Sequence, residues 1–304
     1  MLDFDLTAFT TTVPRQYVHR AAISEVLLTG WRPAQEPHTF VVGTQWPRGH
    51  ALFAQSGGYQ DPMLFAESVR QVGALLAHAE YGVEFGDQFL MGSMHFAAPA
   101  PLFVATPAPT EVELHVACHD IVQRGKRFAG MRYEVTAVVE GESLGSAGAT
   151  MTCIRPSVYG RLRGGRSTHC DRLPGLPIDP ALVGRTDARH VVLSEISRGA
   201  GDRWELRVDC GHPIFFDHPV DHVPGMVLLE AARQAAHAVT GMPDTLVVAL
   251  DSTFERYAEL DAPCLVEAEP TGVDAAGDVQ VRVRGQQEGE AVFEAYVTLR
   301  TRTH

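Results

Sequence analysis

A polar stripe on an otherwise apolar helix, present twice, limits what this 304-residue chain can fold into. The first copy runs Asp61-Pro62-Met63-Leu64-Phe65-Ala66-Glu67-Ser68-Val69-Arg70-Gln71-Val72-Gly73-Ala74-Leu75-Leu76-Ala77-His78. Asp61 can cap free N–H groups, and Pro62 suits the first helical position, where no N–H is needed. A helix is expected from Pro62 to about Tyr81, with Gly82 as a left-handed stop. Its apolar residues leave little polar face, so it should be enclosed rather than lie on a surface. Yet Glu67, Arg70, Gln71 and His78 fall at i, i+3, i+4 and i+11, along one stripe. After Pro224, Met226 to His237 repeats the pattern with Glu230, Arg233 and Gln234.

Glu67 and Glu230 lie 163 positions apart, Gly49-His50 recurs 162 positions on as Gly211-His212, and Ile23-Ser24-Glu25-Val26 resembles Leu193-Ser194-Glu195-Ile196 at 170. Matches in one order near one offset indicate an internal duplication. The expected organisation is a first module over 1–155 with an irregular arm at 1–16, a Gly/Pro/Arg-rich linker over 156–188, and a second module over 189–304. Strands are expected at 19–31, 40–44, 88–97, 110–119, 127–140 and 145–154 in the first module. The second repeats the order with strands at 190–197 and 203–209, a helix at 224–240, and strands at 245–256, 263–271, 278–286 and 290–301. One long apolar helix followed by antiparallel strands requires a sheet curled around a helix, an α+β module. Two such modules would form a pseudo-dimer within one chain.

The net charge of −12 argues against nucleic acid or an anionic membrane as the main partner, because both demand broad positive surface. An anionic ligand must then be met by local basic groups, which are arginines except for Lys126. No stretch approaches about 18 uninterrupted apolar residues, so no membrane span is expected. Early aspartates without a long apolar run, and five scattered cysteines including Cys170, point to a reduced cytoplasmic protein.

Glu67 with Arg70, and Glu230 with Arg233, read in two ways. They are ion pairs that neutralise each other, or they are chemistry. A carboxylate in an apolar seam has raised proton affinity and can act as a base or acid near neutrality, while Arg offers a planar fork for phosphate or an oxyanion. His50, His212, His218 and His222 precede the helices, either as loop and capping residues or facing substrate. Metal ligation is not favoured, because Pro219 and Pro224 break the helix that would align His218 with His222. His78 and His237 read as satisfied core histidines. The linker arginines are solvated charge or a docking face for an acidic carrier protein. No Gly-x-Ser-x-Gly, Walker loop or dinucleotide fingerprint is present, and no cofactor is expected.

Four stretches carry a resemblance: His19 to Trp31, Gln45-Trp46-Pro47-Arg48-Gly49-His50, Asp61 to Gly73, and Phe216-Asp217-His218-Pro219-Val220-Asp221-His222 through Gln234. They resemble the A-factor biosynthesis family of bacterial γ-butyrolactone and butenolide precursor enzymes. The resemblance implies paired hotdog folds and an acyltransferase that moves a β-ketoacyl group from a thioester, on acyl carrier protein or CoA, to the hydroxyl of dihydroxyacetone phosphate. Within it, Glu67 or Glu230 takes the proton and Arg233 holds phosphate or oxyanion. Arg70, Gln71, Gln234, His50, His212, His218 and His222 then face substrate. A thioesterase, a β-hydroxyacyl dehydratase and a non-catalytic lactone- or acyl-binding regulator stay open, as does a homodimer. The second helix start also resembles hotdog dehydratases, but Arg233 departs from their pattern.

Overall fold

Helix α1 (Met63–Ala79) begins where Asp61 Oδ1 accepts from the Met63 N–H at 2.9 Å. All of its residues except Arg70 and Ala79 are buried. Met63, Leu64, Phe65, Val69, Val72, Leu75 and Leu76 are fully enclosed, each contributing roughly 1.5–3 kcal/mol of burial against the entropy of ordering it. Gly82, at φ 66°, turns the chain away after the helix. Gly73 lets the sheet approach: a Cβ there would lie 2.6 Å from the Tyr133 hydroxyl, which itself donates to the Val69 carbonyl at 2.9 Å.

The computed structural model describes residues 9–168, 172, 174–196 and 201–302, and the chain divides into two units, Met1–Gly165 and Arg166–His304. In the first, strands β1 (Leu28–Pro33), β2 (Thr39–Trp46), β3 (Gln88–Ala97), β4 (Thr110–Arg124), β5 (Arg127–Val139) and β6 (Glu142–Ile154) form an antiparallel sheet in the order β1-β2-β4-β5-β6-β3. Helix α2 (Pro156–Arg163) follows and closes on Gly164 at φ 59°. The second unit holds β7 (Leu193–Glu195), β8 (Arg203–Leu206), α3 (Gly225–Thr240), β9 (Thr245–Phe254), β10 (Cys264–Val273), β11 (Val279–Gln287) and β12 (Glu290–Thr301). Its strand order, β7-β8-β10-β11-β12-β9, repeats the first element for element.

The expected strand over 19–31 is mostly absent. Two 3-10 turns, Arg15–Val18 and Ile23–Glu25, precede a strand confined to Leu28–Pro33. The reason lies in α1, whose polar side chains take backbone groups of this segment and hold it as a strap over the helix. Its counterpart behaves alike, with a 3-10 turn at Ala188–His190 before β7. The expected linker is also partly structured, since α2 begins it and a 3-10 turn at Pro180–Val183, capped by Asp179 Oδ1 on the Ala181 N–H, ends it. Residues 1–8 of the arm, Cys170, and position 197 of the expected 190–197 strand lie outside the described residues.

Helix side chains fix the alignment of the copies. Gln71 Oε1 accepts from the Leu27 N–H at 3.0 Å, and Gln234 Oε1 from the Val192 N–H at 2.9 Å. Leu27 therefore corresponds to Val192, a spacing of 165, and Ile23-Ser24-Glu25 to Ala188-Arg189-His190. The sequence match of 23–26 to 193–196 at 170 is corrected accordingly. No helix among the described residues is long and apolar enough to cross a membrane.

Candidate functional site

Each unit buries one carboxylate in a grip of two arginines and a glutamine. In the first, Arg70 donates from Nε to Glu67 Oε2 at 2.8 Å and from Nη2 to Oε1 at 2.7 Å. Arg20 reaches Oε1 from the strap at 2.8 Å, and Gln71 Nε2 does so at 2.7 Å. In the second, Arg233 donates to Glu230 Oε2 at 3.1 Å and Oε1 at 2.6 Å, Arg185 donates to Oε1 at 2.9 Å, and Gln234 donates to the same oxygen. Arg20 and Arg185 are counterparts at the same spacing of 165.

Burial alone would push both carboxyls up. The paired guanidiniums outweigh it, Arg20 and Arg70 at Glu67 and Arg185 and Arg233 at Glu230, and hold each at about 2. This corrects the expectation of raised proton affinity. Both glutamates are ionised at neutral pH and accept protons poorly. Each fixes two arginines instead.

Gln71 and Gln234 were expected to face substrate, but both are fully buried and their amides are used by the protein. Besides the bonds above, Gln71 Nε2 donates to the Glu25 carbonyl at 2.8 Å and Gln234 Nε2 to the His190 carbonyl at 2.8 Å. They tie the strap to the helix. Arg70 also donates to the Val18 carbonyl, and keeps 21% of its side chain exposed against 7% for Arg233.

His50 and His212 occupy matching places. His50 Nδ1 accepts from the Leu52 and Phe53 N–H groups, and His212 Nδ1 from those of Ile214 and Phe215. What stands at the other ring nitrogen differs. His50 Nε2 lies 3.3 Å from Glu25 Oε2, while His212 Nε2 lies 3.0 Å from His190 Nδ1. Burial lowers His190 below the usual histidine range and brings His212 to about 4, with its neighbour His190 adding to the effect.

His218 and His222 turn to the aspartates before them, Asp217 and Asp221, and His222 packs edge-on against Tyr257. They precede α3, which begins at Gly225, in keeping with the two prolines. His78 donates from Nδ1 to the Val83 carbonyl at 2.7 Å and its Nε2 lies 2.8 Å from His19 Nε2, a satisfied core histidine. His237 departs from that reading. Its Nδ1 has a long 3.4 Å bond to the Val183 carbonyl, its buried Nε2 has no partner among the described residues, and burial pushes it down to about 3.

Four residues of these clusters escaped the sequence reading: Arg20, Arg185, Glu25 and His190. Their signal was the spacing of 165, obscured because the chance match at 170 set Glu25 against Glu195 rather than His190.

The family model described as the A-factor biosynthesis hotdog domain matches residues 3–155 and again 167–303. The chain is 50% identical over 293 residues to a 2-oxo-3-(phosphooxy)propyl 3-oxoalkanoate synthase of Streptomyces virginiae, covering 96% of this chain and 98% of that protein. A protein of the same name from Streptomyces coelicolor is 39% identical, over 92% and 89% of the two chains. Among solved structures, a 12:0-ACP thioesterase from Umbellularia californica superimposes with a TM-score of 0.52 at 12% identity, over 86% of this chain and 94% of that one, a likeness of fold alone. With both units matched by one domain model and near full-length relatives at this identity, the chain belongs to the A-factor biosynthesis hotdog domain family.

Proposed function

We propose that the protein transfers a β-ketoacyl group from a thioester to dihydroxyacetone phosphate. The carrying observation is the 50% identity, over nearly the full length of both chains, to a synthase named for its product. Chemically, that name describes a 3-oxoalkanoic acid esterified to dihydroxyacetone phosphate. The hydroxyl oxygen of the phosphate substrate attacks the thioester carbon, a C–O bond forms, the C–S bond breaks, and the hydroxyl proton ends on the departing thiol. The acyl donor is a thioester of acyl carrier protein or CoA. The buried Cys118, Cys153 and Cys264 thiols fit the reducing cytoplasm as the place of work.

Anion chemistry is assigned to the second unit. There Glu230 holds two guanidiniums, and the neighbouring pair is two imidazoles, His190 and His212, where the first unit has the Glu25 carboxylate against His50. A fixed positive charge in a poorly solvated setting stabilises a developing oxyanion or a bound phosphate more than the same charge in water. Glu230 keeps Arg185 and Arg233 in place.

The test is incubation with a β-ketoacyl thioester, with and without dihydroxyacetone phosphate, following free thiol and product mass. Thiol release that depends on the phosphate, with the ester mass appearing, is expected. Equal release without it makes the protein a thioesterase, and binding without release makes it a regulator.

A further inference from the structure

Hydrogen bonding fixes the protons on the His190–His212 pair. His212 Nδ1 accepts from two backbone N–H groups, at 3.3 Å from Ile214 and 3.2 Å from Phe215, and so carries no proton. A neutral imidazole then bears its proton on Nε2, which donates to His190 Nδ1 at 3.0 Å. By the same logic His190 is protonated at Nε2. Among the described residues no group accepts from that N–H, and the residue is half-buried rather than enclosed. Its backbone is held on both sides, the carbonyl by Gln234 Nε2 and the N–H by the Asp187 carbonyl.

We propose that His190 is a further catalytic residue, whose Nε2–H donates to the thioester carbonyl oxygen and holds the oxyanion formed on attack, with His212 as the positioning residue that fixes the tautomer. The inference rests on the acyl-transfer reading. In the first unit the corresponding place holds the Glu25 carboxylate, which accepts from His50 and would repel an oxyanion. The charged groups that act on the pair are Arg185, Arg189, Asp187, Asp209 and Glu230. Burial lowers the proton affinity of both rings, so the donor is imidazole rather than imidazolium. A neutral, tautomer-locked imidazole polarises a carbonyl without a proton having to be gained or lost before each turnover. During transfer the hydroxyl oxygen adds to the carbonyl carbon and its electron pair moves onto the oxygen at His190. Collapse then expels the thiolate, which takes the hydroxyl proton, and His190 ends as it began.

The test combines kinetics of His190→Ala and His190→Gln with nitrogen NMR of the histidine rings in the full-length parent protein. The expected result is a fall in kcat for His190→Ala of about 10²–10³, the size seen when one oxyanion donor is lost. KM for dihydroxyacetone phosphate should stay nearly constant. His190→Gln, which keeps an N–H donor, should recover a substantial part of the lost rate. In the parent, His190 should be protonated at Nε2 and His212 unprotonated at Nδ1. A near-parental kcat for His190→Ala, a loss confined to KM for the phosphate substrate, or a bare Nε2 on His190 would overturn the assignment. If the alanine variant fails to fold, the glutamine variant and the ring spectra decide. A parent protein that does not couple thiol release to dihydroxyacetone phosphate sinks the acyl-transfer reading and this one with it, whereas normal parental turnover with an unaffected variant sinks this one alone.

Discussion

In the first unit Glu67 is held by Arg20 and Arg70, and behind it Glu25 accepts from His50; in the second Glu230 is held by Arg185 and Arg233, and His190 accepts from His212. The scaffold is repeated to the level of individual backbone hydrogen bonds. One substituted residue changes its local chemistry, because the first unit has a carboxylate where the second has an imidazole. A duplicated fold can thus keep one cluster as an internal clamp and turn the other into a place for anions. The lesson is that the arginine-gripped glutamate, the most visible repeat, is shared by both units and cannot by itself divide their roles.

The largest contrast should appear in stability. Glu230→Gln leaves Arg185 and Arg233, each 7% exposed, without their carboxylate, and breaking a buried pair in this way costs about 3–5 kcal/mol. Glu67→Gln should cost less, because Arg70 is 21% exposed and can turn toward water. Thermal or urea melts of the two variants compare them directly. Equal losses would mean that the clusters are equivalent in energy as well as in shape.

A smaller contrast should follow acidification. A histidine buried in its neutral form has a folded pKa below its unfolded value, so its contribution is complete above pH 6.5 and is lost as pH falls toward the folded value. His190, His212 at about 4 and His237 at about 3 place this loss in the second unit, where the first has His78 lowered. Glu67 and Glu230 add losses only as pH falls from 4.5 toward 2, equally in both units. Between pH 7 and 5, after correction for intrinsic rates, amides of α3 should lose hydrogen-exchange protection before those of α1. Protection lost in step would contradict the asymmetry.

Much of the fold was legible because helix periodicity and its breakers are local. Asp61-Pro62 and Gly82 bracket α1, and β3 falls at 88–97 as expected. The straps were not legible, since 19–31 has β-branched and apolar residues that suggest a strand, while its backbone is claimed by Gln71 and Arg70 from a distant helix. The site was half legible for the same reason. Glu67, Arg70, Gln71 and their copies share one helical turn, but Arg20 and Arg185 arrive from 47 and 45 residues away, and nothing local marks them. Proton affinity is not legible from the helix pattern either, because it depends on those distant partners. One arginine per carboxylate is visible in the helix pattern; the second, arriving from the strap, tips the balance against burial.

The central claim, that His190 against Glu25 separates an anion-stabilising unit from a clamping one, is tested most directly by exchanging the two residues. His190→Glu gives the second unit the arrangement already accommodated in the first, a carboxylate facing a histidine whose Nδ1 is held by two backbone N–H groups. Glu25→His gives the first unit the imidazole pair. Turnover of a β-ketoacyl thioester with dihydroxyacetone phosphate should fall by about 10² or more in His190→Glu, as expected when an oxyanion donor is replaced by a carboxylate, and stay within a few-fold of the parent in Glu25→His. Equal losses in the two folded variants, or a greater loss in Glu25→His, would contradict the account.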